Sequence, residues 1–278
     1  MTGILASSRV RRSTRNLLLI TTSTSSSWKI NSALFNHDVD YRYVDNTNGN
    51  VLYSGTAADL GFEVDLSIGN GDTSLFILDR ELGYDIDELD LRVLLLSNIN
   101  VNFLPSLLSL NIDGNNVSVI DVTQNTNLTE LRFASNNVSI LNVTQNTALL
   151  DLLIAANNIS ILDVTQNVNL MGLSCGSNNL SVIDVTQNTS LKSLGCNMNN
   201  ISVLDLSQNT ALNFIRAAFN SLTYLNVKNG NNTNINSADF YIEENPDLEC
   251  VLVDDVAYAN ENFTSKDAQT NYSETTCP

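Results

Sequence analysis

The sequence predicts a parallel β-solenoid, in which short repeats stack so that each covers the apolar side of its neighbour. A unit of 21 residues recurs six times between residues 107 and 227, with no insertion between copies. Apolar residues hold the same positions in every copy, and an asparagine follows the apolar strand pattern at a constant distance. This fixed period indicates a stack of similar structural units.

The first half of each repeat has the pattern of a strand with one buried side. In the copy that begins at Leu128, the residues read LTELRFASNNV. Leu131 and Phe133 are two residues apart, so their side chains point to the same side of a strand. Asn136 follows at a turn inside the stack, where its amide can donate to and accept from backbone groups that water does not reach. This spacing is the leucine-rich-repeat pattern.

The second half of the repeat predicts another extended segment. Val138, Leu141, Val143 and Asn146 give the pattern V-x-x-L-x-V-x-x-N. β-branched residues at a period of two favour extended backbone, and a helix of about ten residues fits poorly in so short a repeat. We therefore predict a mainly β leucine-rich-repeat solenoid, with a parallel sheet on one face and short extended or 3₁₀ segments on the other.

The chain resembles secreted leucine-rich-repeat proteins of the Bacteroidetes, and its repeats are similar to those of internalins. The resemblance covers about residues 72–277 and is carried by the tract LSVIDVTQNTSLKSLGCNMNNISVLDLSQNTAL and by the tail NPDLECVLVDDVAYANENFTSKDAQTNYSETTC. It implies a Cys-containing C-terminal cap and a secreted or cell-surface protein of bacterial type. It also implies a binding function without catalytic residues.

Composition excludes several functional classes. The 278 residues have a formal net charge of −17, so nucleic acid is an unsuitable partner. No apolar run reaches the roughly 20 residues of a membrane span. His37 is the single histidine, and no nucleophile–base pair is visible, so we predict no enzyme activity and no cofactor or metal. We expect a monomer.

We divide the chain into five segments. The leader lacks Asp and Glu and is rich in Ser and Arg, which is compatible with an export signal, an organelle transit peptide or a disordered stretch without function. The predicted segments are a disordered leader (1–37), a β-hairpin leading into the solenoid (38–71), an N-terminal cap with a degenerate repeat (72–106), six repeats (107–227), and a last repeat with a C-terminal cap (228–278).

Two of these segments contain short sequence features that predict their secondary structure. The sequence DNTNGN lies between Tyr43 and Val51 and predicts a tight turn between two strands. Residues 73–82 place apolar side chains on one helical face, with Asp72 able to cap and Gly83 able to end the helix, so we predict a short capping helix. Leu89 lies 21 residues before Leu110 and marks the degenerate repeat.

The outward strand positions predict where a ligand binds. Scaffold positions are nearly constant between repeats, whereas the outward positions of the first strand vary, and solenoids commonly bind on such extended surfaces. We therefore predict a protein or glycan ligand, and the alternative is a passive spacer that displays another domain. The predicted contact residues are Glu130, Arg132, Asp151, Leu153, Phe214, Arg216 and Phe219.

Other repeated features have a structural and a functional interpretation. The Thr column, which includes Thr123 and Thr144, predicts either an ice- or lattice-binding surface or hydroxyls that tie down a corner. The acidic residues near Asp85 and Asp90 form either a calcium site or a solvated edge, and their spacing favours the edge. The N-x-[ST] sequences arise from the repeat itself, and we interpret them as structural.

The four cysteines fall into two pairs. Cys175 and Cys196 occupy the same inward position in adjacent repeats, where parallel side chains suit a disulfide poorly, so we predict buried thiols. Cys250 and Cys277 lie outside the repeats and enclose a loop with few large apolar side chains. A covalent link would stabilise that loop, so we predict a disulfide there and an oxidising compartment.

Overall fold

A computed structural model shows two compact units, Met1–Ser139 and Ile140–Pro278. The structure describes residues 104–277 continuously; before them it describes residues 101 and 102, Arg92 and the strands given below. The boundary between the units falls inside the repeat tract.

The first unit contains antiparallel and parallel β-structure. An antiparallel sheet has the strand order β10-β2-β7-β4-β5, β1 pairs with β8, β3 pairs with β6, and β9, β11 and β12 are parallel. These strands are β1 (Val10–Arg11), β2 (Leu18–Ser23), β3 (Lys29–Ile30), β4 (Val39–Asp45), β5 (Val51–Thr56), β6 (Val64–Asp65), β7 (Thr73–Asp79), β8 (Asp85–Ile86), β9 (Glu88–Asp90), β10 (Leu96–Asn100), β11 (Ser109–Asn111) and β12 (Glu130–Arg132).

The predicted capping helix over residues 73–82 is wrong, because Thr73–Asp79 forms strand β7. This strand lies between β2 and β4 and pairs with both in antiparallel register. Its run of consecutive apolar residues is compatible with a helical face and also with a central strand. Partners on both sides satisfy the backbone groups of a strand, and they come from distant parts of the sequence.

Two other N-terminal segments form strands. β4 and β5 pair as an antiparallel hairpin, with Tyr43 opposite Tyr53, as the turn sequence between them predicts. Leu18–Ser23 pairs with β7, so the disorder predicted for residues 1–37 does not hold for that strand. A targeting role for the leader stays a prediction.

The parallel strands include residues of the predicted degenerate repeat. Leu89 of β9 lies opposite Leu110 of β11, which in turn lies opposite Leu131 of β12. Leu110 and Leu131 are fully buried. Asp90 forms a salt bridge with Arg92 at 2.9 Å, and the described residues contain no group of three or more potential ligands that could hold a metal ion.

The second unit contains two parallel sheets on opposite faces of the repeats. The first face has the order β13-β14-β15-β17-β19, and the other has β16-β18-β20-β21. Two 3₁₀ helices follow β18 at Asn232–Asn234 and Ser237–Asp239, and α1 spans Val256–Asn262. The strands are β13 (Asp151–Leu153), β14 (Gly172–Ser174), β15 (Ser193–Gly195), β16 (Val203–Asp205), β17 (Phe214–Arg216), β18 (Tyr224–Asn226), β19 (Phe240–Tyr241), β20 (Cys250–Leu252) and β21 (Asn271–Ser273). The predicted solenoid, with short extended or 3₁₀ segments opposite the main sheet, is confirmed.

Two asparagine ladders fasten the repeats to one another. In the first, Asn199 donates to the carbonyls of Cys175 and Cys196 at 3.1 and 3.0 Å and accepts from the Leu180 N–H at 2.9 Å. In the second, Asn188 donates to the carbonyls of Val164 and Asn167 at 3.0 and 2.8 Å. Both kinds of asparagine are buried, so their amides satisfy backbone groups that cannot reach water.

The C-terminal cap covers the last repeat with aromatic rings and aspartates. Phe263 stacks on Phe240 with 4.1 Å between ring centroids. The carboxylate of Asp267 accepts from the N–H groups of Glu244 and Asn245 at 3.0 and 2.7 Å. In the preceding repeat, the equivalent N–H groups donate to backbone carbonyls of the next repeat. A side-chain carboxylate thus replaces the missing next strand.

The cysteines are arranged as predicted. Cys250 and Cys277 form a disulfide with Cα atoms 5.6 Å apart, whereas Cys175 and Cys196 are buried free thiols. Burial raises the pKa of the Cys175 thiol well above its ordinary value and raises that of Cys196 to about 12. Both thiols therefore stay protonated and unreactive at neutral pH.

Alkylation should separate these two pairs. We expect no label on the native protein at pH 8, and two labels, on Cys175 and Cys196, after denaturation without reductant.

The variant with Cys250→Ala and Cys277→Ala should lose about 3 kcal/mol of stability, because the unfolded chain regains the freedom of the closed loop. Mass spectrometry and urea denaturation provide the two measurements. Four labels without reductant would contradict the disulfide.

Candidate ligand-binding face

The two predicted contact residues of the first unit are already paired with each other. Glu130 and Arg132 project from the same side of β12 and form a salt bridge. The Ser109 hydroxyl also donates to Glu130 at 2.9 Å. The charge of Arg132 is therefore compensated locally.

Strand β13 of the second unit carries two more predicted residues, Asp151 and Leu153, both partly exposed. The Asp151 side chain leans over the neighbouring repeat, where a Cβ atom added to Gly172 would lie 2.3 Å from its Oδ1. Gly172 thus leaves room for the carboxylate. Small residues on β14 and β15 extend this recessed region of the face.

Arg216 on β17 is held between two aromatic rings. Its guanidinium carbon lies 4.8 Å from the centroid of Phe214 and 5.0 Å from that of Tyr241, within the range of cation–π attraction. The strand register places Tyr241 directly beside Arg216 on one side and Gly195 on the other. In the part of the chain that the structure describes, Arg216 forms no salt bridge.

An open cleft of about 260 Å³ adjoins this arginine. Met198 and Phe219 form its apolar walls, and each is 50% exposed. The cleft residues are Asn197, Met198, Arg216, Ala218, Phe219 and Tyr241. Two of the predicted residues, Arg216 and Phe219, thus line the cleft, and a third, Phe214, contacts Arg216.

Met198 and Phe219 both adopt left-handed backbone conformations, with φ of 55° and 56°. The repeat requires this geometry, because the N–H groups of Phe219 and of the following asparagine bond to the carbonyls of Glu243 and Glu244. The equivalent position holds Gly114 in an earlier repeat. Glycine and asparagine suit this conformation, whereas large side chains disfavour it by about 1–2 kcal/mol.

Sequence reasoning did not select Met198 and Tyr241 as contact residues. Tyr241 follows Arg216 by 25 residues instead of 21, so the regular period hides their proximity. Met198 precedes a ladder asparagine, and so does Gly114. The glycine at this position of the repeat was the sequence feature that indicated a left-handed backbone conformation.

On the opposite face of the second unit, the threonine side chains form hydrogen bonds within a turn. The Thr165 hydroxyl and N–H both donate to Asp163, at 2.7 and 2.9 Å, and these hydrogen bonds lower the pKa of the Asp163 carboxyl. Thr186 contacts Asp184 in the same way. These hydroxyls serve the turn, which is the structural interpretation of the Thr column.

Two solved structures of similar fold come from bacteria. A leucine-rich-repeat protein of Leptospira interrogans is 22% identical, with 68% of this chain and 50% of that chain covered and a TM-score of 0.51. Internalin C2 from Listeria monocytogenes is 17% identical, with 68% of this chain and 81% of that chain covered and a TM-score of 0.51. The chain has the leucine-rich-repeat fold.

The similarity is confined to the fold. No protein-family profile and no curated protein matches the sequence. This leucine-rich-repeat chain also spans only half the length of the leptospiral protein. Within the described residues, no helix is long and apolar enough to cross a membrane.

Proposed function

We propose that this chain is a non-catalytic protein-binding module, secreted or displayed on a bacterial surface, that binds its ligand on the outward face of the main sheet. The cleft beside Arg216 is the observation that carries the proposal. It combines an uncompensated guanidinium with two exposed apolar side chains, whereas neighbouring repeats carry small residues on that face. Arginine and aromatic residues are the side chains enriched at binding hot spots.

Two further features support the proposal. The disulfide Cys250–Cys277 suits an oxidising compartment outside the cytoplasm. Internalin C2 of Listeria monocytogenes, a leucine-rich-repeat protein of known structure, has the same fold. Glu130 and Arg132 compensate each other, so we assign them a smaller share of the binding energy than Arg216.

Replacement of Arg216 by alanine should weaken ligand capture about tenfold or more, because it removes the guanidinium and exposes two unpartnered rings. The melting temperature should change little, since the side chain is exposed. Capture is measured on protein and glycan arrays probed with the labelled full chain.

Lys192→Ala is the matched control, because Lys192 is exposed and has the same charge but does not line the cleft. Equal losses in the two variants would indicate a general charge effect and contradict the assignment to this face. A failure of the unaltered chain to capture any array component would favour the passive-spacer alternative.

A further inference from the structure

We propose that the cleft beside Arg216 recognises a peptide carboxylate next to a large apolar side chain, in an extended segment of a partner protein. This inference rests on the proposed function and specifies the chemistry of its ligand.

The carboxylate follows from the state of Arg216. Phe214 and Tyr241 contact the guanidinium and fix its position, but neither neutralises its charge. A guanidinium is a planar fork of donors that matches a carboxylate with two parallel hydrogen bonds. Arg132 already has this partner in Glu130. Arg216 therefore presents a pre-oriented positive charge on a chain whose net charge is −17.

The apolar neighbour follows from Met198 and Phe219. Their left-handed backbone would be better served by glycine or asparagine, and their exposed side chains add little to the core. The same left-handed backbone recurs at Ser135, Ala156 and Ser177 in earlier repeats, so it belongs to the repeat, and what distinguishes the cleft is the size of its side chains. Large apolar side chains in place of small ones, both lining one cleft, are what contact with an apolar ligand group requires.

On the side of Gly195, no side chain from that residue covers the guanidinium. A Cβ atom added to Gly195 would make only ordinary van der Waals contacts, the nearest with the Ser174 Oγ at 3.8 Å, so a larger side chain can be introduced there without a clash at Cβ. Backbone pairing to β19 is not available to a ligand, because Ser265 already pairs with Tyr241. The ligand must therefore bind through its side chains.

A peptide suits the cleft better than a sugar does. The rings that could stack on a sugar, Phe214 and Tyr241, contact the guanidinium instead. The remaining lining is Ala218, the thioether of Met198, the ring of Phe219 and one amide, that of Asn197. The Asn197 Oδ1 lies over Gly176, so this lining offers few hydrogen bonds to the many hydroxyl groups of a sugar. Carboxylate and apolar side chain occur side by side in ordinary peptide sequences.

A displayed library of random seven-residue peptides, panned on the full chain, tests the proposal. Enriched peptides should contain Asp or Glu adjacent to Phe, Leu, Met or Trp. Amidating that carboxylate in a synthetic peptide should weaken binding roughly tenfold, and Arg216→Gln should remove the difference between the two peptides. Gly195→Leu should block binding while it leaves the fold intact, and Lys192→Gln serves as the control.

Phe219→Asn gives a readout that a purely structural role would not produce. The melting temperature should rise by about 2 °C, because asparagine suits the left-handed backbone, while peptide binding weakens about tenfold. A lower melting temperature would show that Phe219 stabilises the fold and would overturn the argument from strain.

The remaining outcomes separate the ligand chemistry from the proposed function. Enriched peptides without an acidic residue, blocked by Gly195→Leu but unaffected by Arg216→Gln, would refute the carboxylate and retain the binding face. Capture of acidic glycans alone, lost in Arg216→Gln, would replace the peptide by a sugar acid. Absence of any enrichment, together with negative arrays, would refute both proposals.

Discussion

Replacing Asn199 with alanine is expected to destabilise the second unit by about 2–3 kcal/mol, because the buried N–H of Leu180 loses its partner at about 1–3 kcal/mol and two buried carbonyls each lose one of their two donors. The carbonyls of Cys175 and Cys196 and the N–H of Leu180 all bond to this one amide. Alanine would leave the Leu180 N–H facing an apolar interior, whereas the carbonyls of Cys175 and Cys196 would keep Asn178 and Asn220 as donors. Asn199 is too well covered for water to replace its amide freely.

Urea denaturation of the variant measures this loss. Asn200→Ala is the matched control, since Asn200 is the next residue but is exposed, and its replacement should change stability by less than about 0.5 kcal/mol. Asn199→Asp should destabilise at least as much as Asn199→Ala, because its second carboxylate oxygen would lie against the carbonyls of Cys175 and Cys196 without a proton to donate. Similar stability of Asn199→Ala and the control would contradict the ladder's role.

Replacing Phe240 with alanine should cost about 4 kcal/mol, the usual loss when a buried aromatic side chain is truncated and leaves a cavity. Phe240 is fully buried and is the first residue of β19. Its ring stacks on Phe263, which also contacts Tyr258 and Tyr272 edge-on at 5.7 and 6.3 Å. Truncation would therefore loosen the whole cap from the last repeat.

Thermal unfolding followed by proteolysis tests this effect. We expect Phe240→Ala to expose residues 247–277 to cleavage at temperatures where the unaltered chain resists it. Phe240→Leu, which keeps most of the volume, should lose less than half as much stability. An unchanged cleavage pattern would show that the cap is held mainly by its disulfide.

The repeats were predictable because one local pattern is reinforced by its neighbours. A pair of buried leucines and a ladder asparagine recur at fixed spacing, and each copy adopts the same backbone conformation. The strand, the turn and the inward face therefore follow from the sequence alone. Strand β7 was not predictable in this way. Its two partners, β2 and β4, lie elsewhere in the chain, and its apolar residues fit a helix equally well.

The binding face was only partly predictable for a related reason. The period identified the outward positions of Phe214 and Arg216, but the position of Tyr241 depends on how residues 228–239 connect two strands. The strain at Met198 and Phe219 depends on backbone angles, which a pattern of apolar and polar residues does not specify. Both features follow from the three-dimensional structure and not from the sequence pattern.

The aspartates of the C-terminal cap determine whether one molecule can extend another. Asp267 accepts the last repeat's N–H groups, and Asp254 likewise accepts from the N–H groups of Gly230 and Asn232 at 2.9 and 3.1 Å. A carboxylate accepts hydrogen bonds but offers none in return, so a second chain finds no free strand edge at these positions and meets negative charge instead. Addition of another strand beside β19 is thereby disfavoured, whereas β21, within the described part of the chain, keeps one unpaired edge in the other sheet.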